Sequence, residues 1–156
     1  MADVSFSLTG ADEVLQRLQS LAVRTQKRSV KRAARKAMTI VRNAARKNAK
    51  AIDDPDTRER IFKNIVLQES GNAGRRVGGI VMKVGVKGGA GVNKHSTSRD
   101  HLSGGDTRHW RMVELGTVNN RATPFMRPAL RDNIQQVTDT FMTELNNEIS
   151  AAMAGA

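Results

Sequence analysis

Apolar positions change their period several times along this chain, and each change marks a new element. Residues 3–8 alternate, with Val4, Phe6 and Leu8 on one side and Ser5 and Ser7 on the other, which predicts a half-buried strand. Thr9-Gly10 turns the chain, and Val14, Leu15, Leu18, Leu21 and Ala22 then recur at helical spacing. A long helix is predicted over about 25–51, with a narrow stripe of Val30, Ala34, Ala37, Val41 and Ala44 widened by Ala33, Met38, Ile40 and Ala45. Asp53-Asp54-Pro55-Asp56 ends it. Residues 61–69 begin helical and end as a strand at Ile65-Val66-Leu67, 70–76 read as a turn, and 77–86 read as a strand with Ile80, Met82, Val84 and Val86 on one face. These strands and the N-terminal one are expected to form a small antiparallel sheet, closed by the segment Trp110 to Leu115. The last helix is predicted from Pro128, on a stripe of Leu130, Ile134, Val137, Phe141, Leu145 and Ile149, with the terminal AAMAGA fraying. The expected architecture is α+β, a small antiparallel sheet packed against a long basic helix and an amphipathic C-terminal helix.

The length of 156 residues points to a single domain over 1–156. Aromatics make up only 3% of the chain, so burial against copies of itself or a partner would help its stability. No Cys is present, which removes disulfide and thiolate chemistry. The opening MADVSFSLTG lacks a signal-peptide pattern, and no apolar run approaches the ~20 residues of a bilayer span, so a soluble protein without a membrane partner is expected.

The formal net charge of +11 is unevenly distributed. No carboxylate falls between Val14 and Ile52, whereas Arg28, Lys31, Arg32, Arg35, Lys36, Arg42, Arg46 and Lys47 all do. Three readings of this run stand side by side. It is a solvated helix face, or it meets the acidic surface of a neighbouring subunit or partner, or it touches DNA phosphates without sequence preference. No aromatic residue is interleaved for base stacking. The final helix carries Asp132, Asp139, Glu144 and Glu148, an acidic counterpart to the basic run.

Candidate chemistry is sparse. Three close aspartates at 53–56 lack the Gly and terminal Glu of an EF-hand, and helix capping and a loop contact are their expected roles. The glycine-rich stretch 88–108 is read as a flexible insertion that orders only against a neighbour. Its GVKGGAGV has no Gly-Lys-(Ser/Thr) ending for phosphate binding. His95, His101 and His109 are too widely spaced for one helix face, and no Ser sits in a nucleophile elbow. No catalytic residue, metal or cofactor is expected.

The remaining stretch, HWRMVELGTVNNRATPFMRPAL at 109–130, holds the only Trp and two of the three prolines. Its apolar cluster Trp110, Met112, Val113 and Leu115 stops at Gly116; a turn-rich loop follows, and Pro124 and Pro128 bracket the start of a helix. On the residues alone this is a well-capped helix and a buried Trp in a small α+β domain. The run VELGT followed by PFMRPAL also resembles the head–tail joining family of tailed bacteriophages, whose members are neck, tail-completion or minor tail-component proteins. Glu114, Gly116, Thr117, Pro124, Phe125, Met126, Arg127, Pro128 and Ala129 fit the family's paired motif. Pro55 and Thr57 match it only in part, because Arg58 stands where the family has Gly.

The resemblance implies a virion protein, assembled in the host cytoplasm, that forms a hexameric or larger ring at the neck. Its partners would be further copies, the head connector, and the tail tube or tail terminator. On that reading Glu114, Gly116, Thr117 and the loop from Pro124 through Phe125 and Arg127 to Pro128 hold a rigid wedge, with Arg127 bonding carbonyls or a carboxylate. The rival is a small sequence-nonspecific DNA-binding protein that uses the basic helix. A hydrolase would need a carboxylate or histidine cluster that the sequence does not show.

Overall fold

The computed structural model describes residues 10–88 and 102–155. The expected strand at 3–8, most of the glycine-rich stretch, His95 and His101 lie outside them. In chain order the elements are α1 (Ala11–Gln19), α2 (Val23–Ile52), α3 (Ile61–Asn64), β1 (Ile65–Glu69), α4 (Gly71–Val77), β2 (Met82–Val86), α5 (Trp110–Leu115), α6 (Met126–Arg131) and α7 (Ile134–Ala154). The fold is thus mixed helix and strand, as the pattern predicts.

Helix α2 is the spine, about 45 Å long at 1.5 Å per residue. Its buried positions are Ser29, Ala33, Ala37, Val41, Ala45 and Ala49, one every fourth residue. This row is shifted from the predicted stripe, in which Val30, Ala34 and Ala44 were central. Those three flank the buried row and are half-exposed. Five of the six buried side chains are only Ser or Ala, so α7 lies close along the row, as ridge-into-groove packing allows. From α7, Leu145 and Ile149 reach full burial, while Leu130 of the predicted stripe is 46% exposed.

Two apolar clusters form along this spine. One joins Val14 of α1, Ala33 of α2, and Leu145 and Ile149 of α7. The other joins Val41, Ala45 and Ala49 of α2 with Ile61, Ile65, Val86, Phe125 and Ala129. Trp110 packs against the second cluster only partly buried.

Strands β1 and β2 pair antiparallel, with Ile65 opposite Val86 and Glu69 opposite Met82. The sheet differs from expectation in three ways. Residues 70–76 are not a simple turn, because Gly71–Val77 winds into a short helix that Gly78 ends at φ 67°. That helix delays β2 to Met82, so Val77 and Ile80 fall outside it. Trp110–Leu115 is a helix and adds no strand.

The C-terminal helix is also interrupted. Asp132 ends α6 still in the right-handed helical region. At Asn133 (φ −118°, ψ 8°) the backbone departs from α geometry and its side chain donates to the Ala129 carbonyl (2.9 Å), which marks the break between α6 and α7. Helix α7 continues to Ala154 through the residues expected to fray.

Candidate functional site

The segment 109–130 folds into a clamp. Helix α5 presents Glu114 inward at 4% exposure, beneath the start of α6. Four orphan N–H groups open every helix, and here a carboxylate from another helix receives three N–H groups at and beside that opening. Glu114 Oε2 accepts from the Phe125 N–H (2.7 Å) and the Met126 N–H (2.9 Å), and Oε1 accepts from the Arg127 N–H (3.0 Å).

Arg127 closes the clamp from outside. Its Nε donates to Glu114 Oε1 at 3.2 Å and a terminal nitrogen donates to the Glu114 carbonyl at 2.9 Å. Burial pushes the Glu114 carboxyl up, but the N–H groups of Met126, Phe125 and Arg127 and the Arg127 side chain together outweigh it. The net pKa lies below the ordinary carboxylate value.

Gly116 lets the chain leave α5 at φ 79°, ψ 176°, a region open almost only to glycine. A Cβ there would lie 2.8 Å from the Ala122 amide nitrogen. The loop that follows is tied at three points: Thr117 N–H to Asn120 O, Asn120 N–H to Thr117 Oγ1, and Thr123 N–H to Val113 O, at 2.8, 3.0 and 2.8 Å. Phe125 is fully buried, and its carbonyl accepts from the Asn48 side chain of α2 at 3.2 Å. The clamp is therefore bolted to the spine.

The motif residues divide by position. Glu114 and Phe125 are interior, Gly116 and Pro128 are half-buried, and Thr117, Pro124 and Arg127 face outward. Beside them, Met112 is 61% exposed, Leu115 is 54% exposed and Val118 is fully exposed. Arg111 and Arg121 flank this apolar strip in sequence and are exposed as well.

The basic residues of α2 are not one free face. Arg32 pairs with Glu148 (3.3 Å) and Lys36 with Glu144 (2.5 Å), both from α7, and Lys31 pairs with Glu69 of β1. The two nitrogens of Arg46 donate to the Ile65 carbonyl at 3.0 and 2.8 Å. Arg42 turns onto Asn43. Arg28, Arg35 and Lys47 are exposed. Glu144 and Glu148 thus lie against the basic helix of the same chain, whereas Asp132 pairs with Arg131 and Asp139 accepts from the Gln135 side chain.

Sequence reasoning missed a second polar node. Asn64, 2% exposed, donates to the Gly105 carbonyl (2.9 Å) and Thr107 Oγ1 (2.8 Å) and accepts from the Gly104 N–H (2.9 Å). Gly104 packs so closely on Arg60 and Asn64 that a side chain has no room. The only hint was a polar residue inside the apolar run IFKNIVL. Asp53 caps α3 by accepting from the Ile61 and Phe62 N–H groups (3.1 and 3.2 Å), and Asp54 accepts from the Asp56 N–H (2.9 Å). Among the described residues no group of three or more His, Cys, Asp or Glu side chains converges as a metal site would require. No helix among them is long and apolar enough to cross a membrane.

Comparison with known families gives one match. Residues 12–116, two thirds of the chain, match the family described as "Bacteriophage HK97-gp10, putative tail-component". Neither the curated proteins nor the solved structures gave a match. The matched region runs from α1 through the spine and the hairpin to Gly116, so it contains Glu114 but ends before the Pro124–Pro128 half of the clamp. That family is structural: its members belong to the virion and work by contact with other phage proteins. The chain therefore belongs to the HK97-gp10-like family of bacteriophage tail components.

Proposed function

We propose that this tail component forms a ring at the head–tail junction of a tailed phage, where it completes the tail and joins it to the head. The observation that carries the reading is the clamp with its uncovered apolar strip. Glu114, Gly116 and Arg127 fix the backbone of the loop and the start of α6, and Met112, Leu115 and Val118 stand exposed beside that fixed backbone. A contiguous exposed apolar patch next to a rigid element is the usual mark of a protein–protein contact. A surface that meets a different surface on the next copy closes into a ring when the rotation permits.

On this reading the mechanism is complementarity of shape and charge, and Thr117, Pro124 and Arg127 touch the neighbour. Neighbouring head-connector and tail-tube or tail-terminator proteins would meet the two faces of the ring. The DNA-binding alternative is weakened because Lys31, Arg32, Lys36 and Arg46 already hold partners within the chain.

Labelled antibody against the protein, applied to intact virions and viewed by electron microscopy, tests the location. Label at the neck supports the reading. Label along the tail shaft or at its distal tip contradicts it.

A further inference from the structure

We infer that the cleft beside the first turns of α2 receives the acidic loop 53–59 of a second copy of this chain. The inference rests on the ring reading and supplies one of its contacts. The cleft, about 790 Å³, lies between α2 and the helix α4 that follows the first strand. Val30 and Ile80 give it apolar lining, and Lys27, Arg28, Lys31 and Arg75 give it positive charge against the single carboxylate of Glu69. Lys31 is neutralised by Glu69. Lys27, Arg28 and Arg75 are exposed and bring three positive charges to an open concave surface.

The same molecule carries a complementary feature at its other end. Where α2 stops, the sequence brings four carboxylates close together, Asp53, Asp54, Asp56 and Glu59, with Arg58 and Arg60 beside them in the chain. Asp54, Pro55 and Asp56 form an exposed tip. The Arg60 guanidinium is turned onto the Asp54 and Pro55 carbonyls, the latter at 2.8 Å, and with Arg58 it offsets two of the four carboxylates, leaving the segment net negative. That bonding also fixes the shape of the tip before any encounter, which lowers the ordering cost of docking.

Cleft and tip are separated along the spine by roughly 35 Å, at 1.5 Å per residue. They cannot meet within one molecule, so the complementarity is available only head to tail. A heterologous contact of that kind is what a ring needs. The tip also adjoins the clamp, since Glu59 lies 3.6 Å from His109 at the foot of α5. Val77, next in the chain to the cleft-lining Gly78, is 69% exposed and adds apolar surface on the cleft side. Copies of a chain with net charge +11 repel one another at long range, and a local match of opposite sign would set their register.

The test is a charge swap read by light scattering and sedimentation. One variant, Lys27→Glu/Arg28→Glu/Arg75→Glu, makes the cleft acidic. The other, Asp54→Lys/Asp56→Lys, makes the tip basic and leaves Asp53 to cap α3. Each variant alone opposes like charges and should need at least about tenfold more protein to assemble than wild type. Mixed in equal amounts they restore both matches, acidic cleft to basic tip and basic cleft to acidic tip, and should regain wild-type mass.

Thermal melts check folding; if the triple variant melts early, Lys27→Glu/Arg28→Glu replaces it. Wild-type assembly by either folded variant alone, or failure of the mixture to regain mass, overturns the inference and leaves the ring reading standing. Wild-type protein that stays monomeric at every concentration overturns both.

Discussion

The two ends of the spine use charge in opposite ways. At the clamp end, the Glu114 carboxylate is turned inward, and each of its oxygens accepts from donors of the same chain. At the cleft end, Lys27, Arg28 and Arg75 project from exposed positions around an open concavity. A buried carboxylate with several N–H donors organises the fold and is costly to remove. An exposed cation contributes little to stability and is free to act in association. The clamp should therefore be where mutations unfold the protein, and the cleft where they leave it folded but alter what it meets.

Substitutions in the clamp are the strongest way to break this contrast. Gly116→Ala forces a side chain into a glycine-only backbone region and against Ala122, and should cost about 3 kcal/mol in denaturant unfolding. Glu114→Ala should cost about 2–4 kcal/mol, because it strands the amides of Phe125, Met126 and Arg127. A loss below about 0.5 kcal/mol in either variant would show that the loop needs no such cap.

The clamp also has a pH signature. The folded-state pKa of Glu114 is depressed, so its stabilisation is full above the unfolded-state value and is lost as pH falls through the folded value. Acid titration of stability should show this loss in wild type and not in Glu114→Gln. Identical acid limbs for the two proteins would assign the loss to other carboxylates.

Arg127→Ala sharpens the contrast, because that side chain stands at the border between fold and surface. Its side chain is 64% exposed, and the variant should lose about 1 kcal/mol of stability but proportionately more of its assembly. Equal loss of both in paired melting and pull-down assays would make Arg127 a purely structural residue.

The smallest effects are expected where α2 meets α7. Lys36→Ala removes an ion pair with Glu144 whose lysine is 64% exposed, and should change stability by under about 1 kcal/mol, less in high salt. A larger, salt-insensitive loss would mean that the Lys36–Glu144 pair helps hold α7 on α2.

How legible each part was in the sequence follows from the kind of interaction that fixes it. The spine was legible because helical periodicity and the long absence of carboxylates both continue to Ile52. Its buried row was legible only in part: Ala37 and Val41 lie in the predicted stripe and Ala33 and Ala45 beside it, but alanines fill both flanks of the helix. The packing of other elements, α7 on Ala33 and the residues around Ile65 and Phe125 on Ala45 and Ala49, is what selects the row over Ala34 and Ala44. The helix at Gly71–Val77 read as a turn because two of its first four residues are glycine, which is poor in a helix interior. Tertiary context overrides that propensity there.

In the clamp, the capped-loop pattern and the role of Arg127 as a donor to carbonyl and carboxylate were visible as expectations. The partner was not. Glu114 reaches amides 11 to 13 positions away across a loop, a distance no local periodicity encodes. Asn64 escaped for the same reason, since its partners lie about 40 positions on. The pairing of Glu144 and Glu148 with Lys36 and Arg32 likewise depends on two helices lying antiparallel, which charge counting along the chain does not reveal.

The central claim, that this tail component works by assembling with its own kind, is tested most directly by its mass in solution. Light scattering over a range of protein and salt concentrations, with and without a short DNA duplex, should return one discrete ring-sized oligomer whose mass is indifferent to the DNA. A monomer that gains mass on DNA at low salt and sheds it at high salt would contradict the account and make the basic helix a phosphate-binding surface.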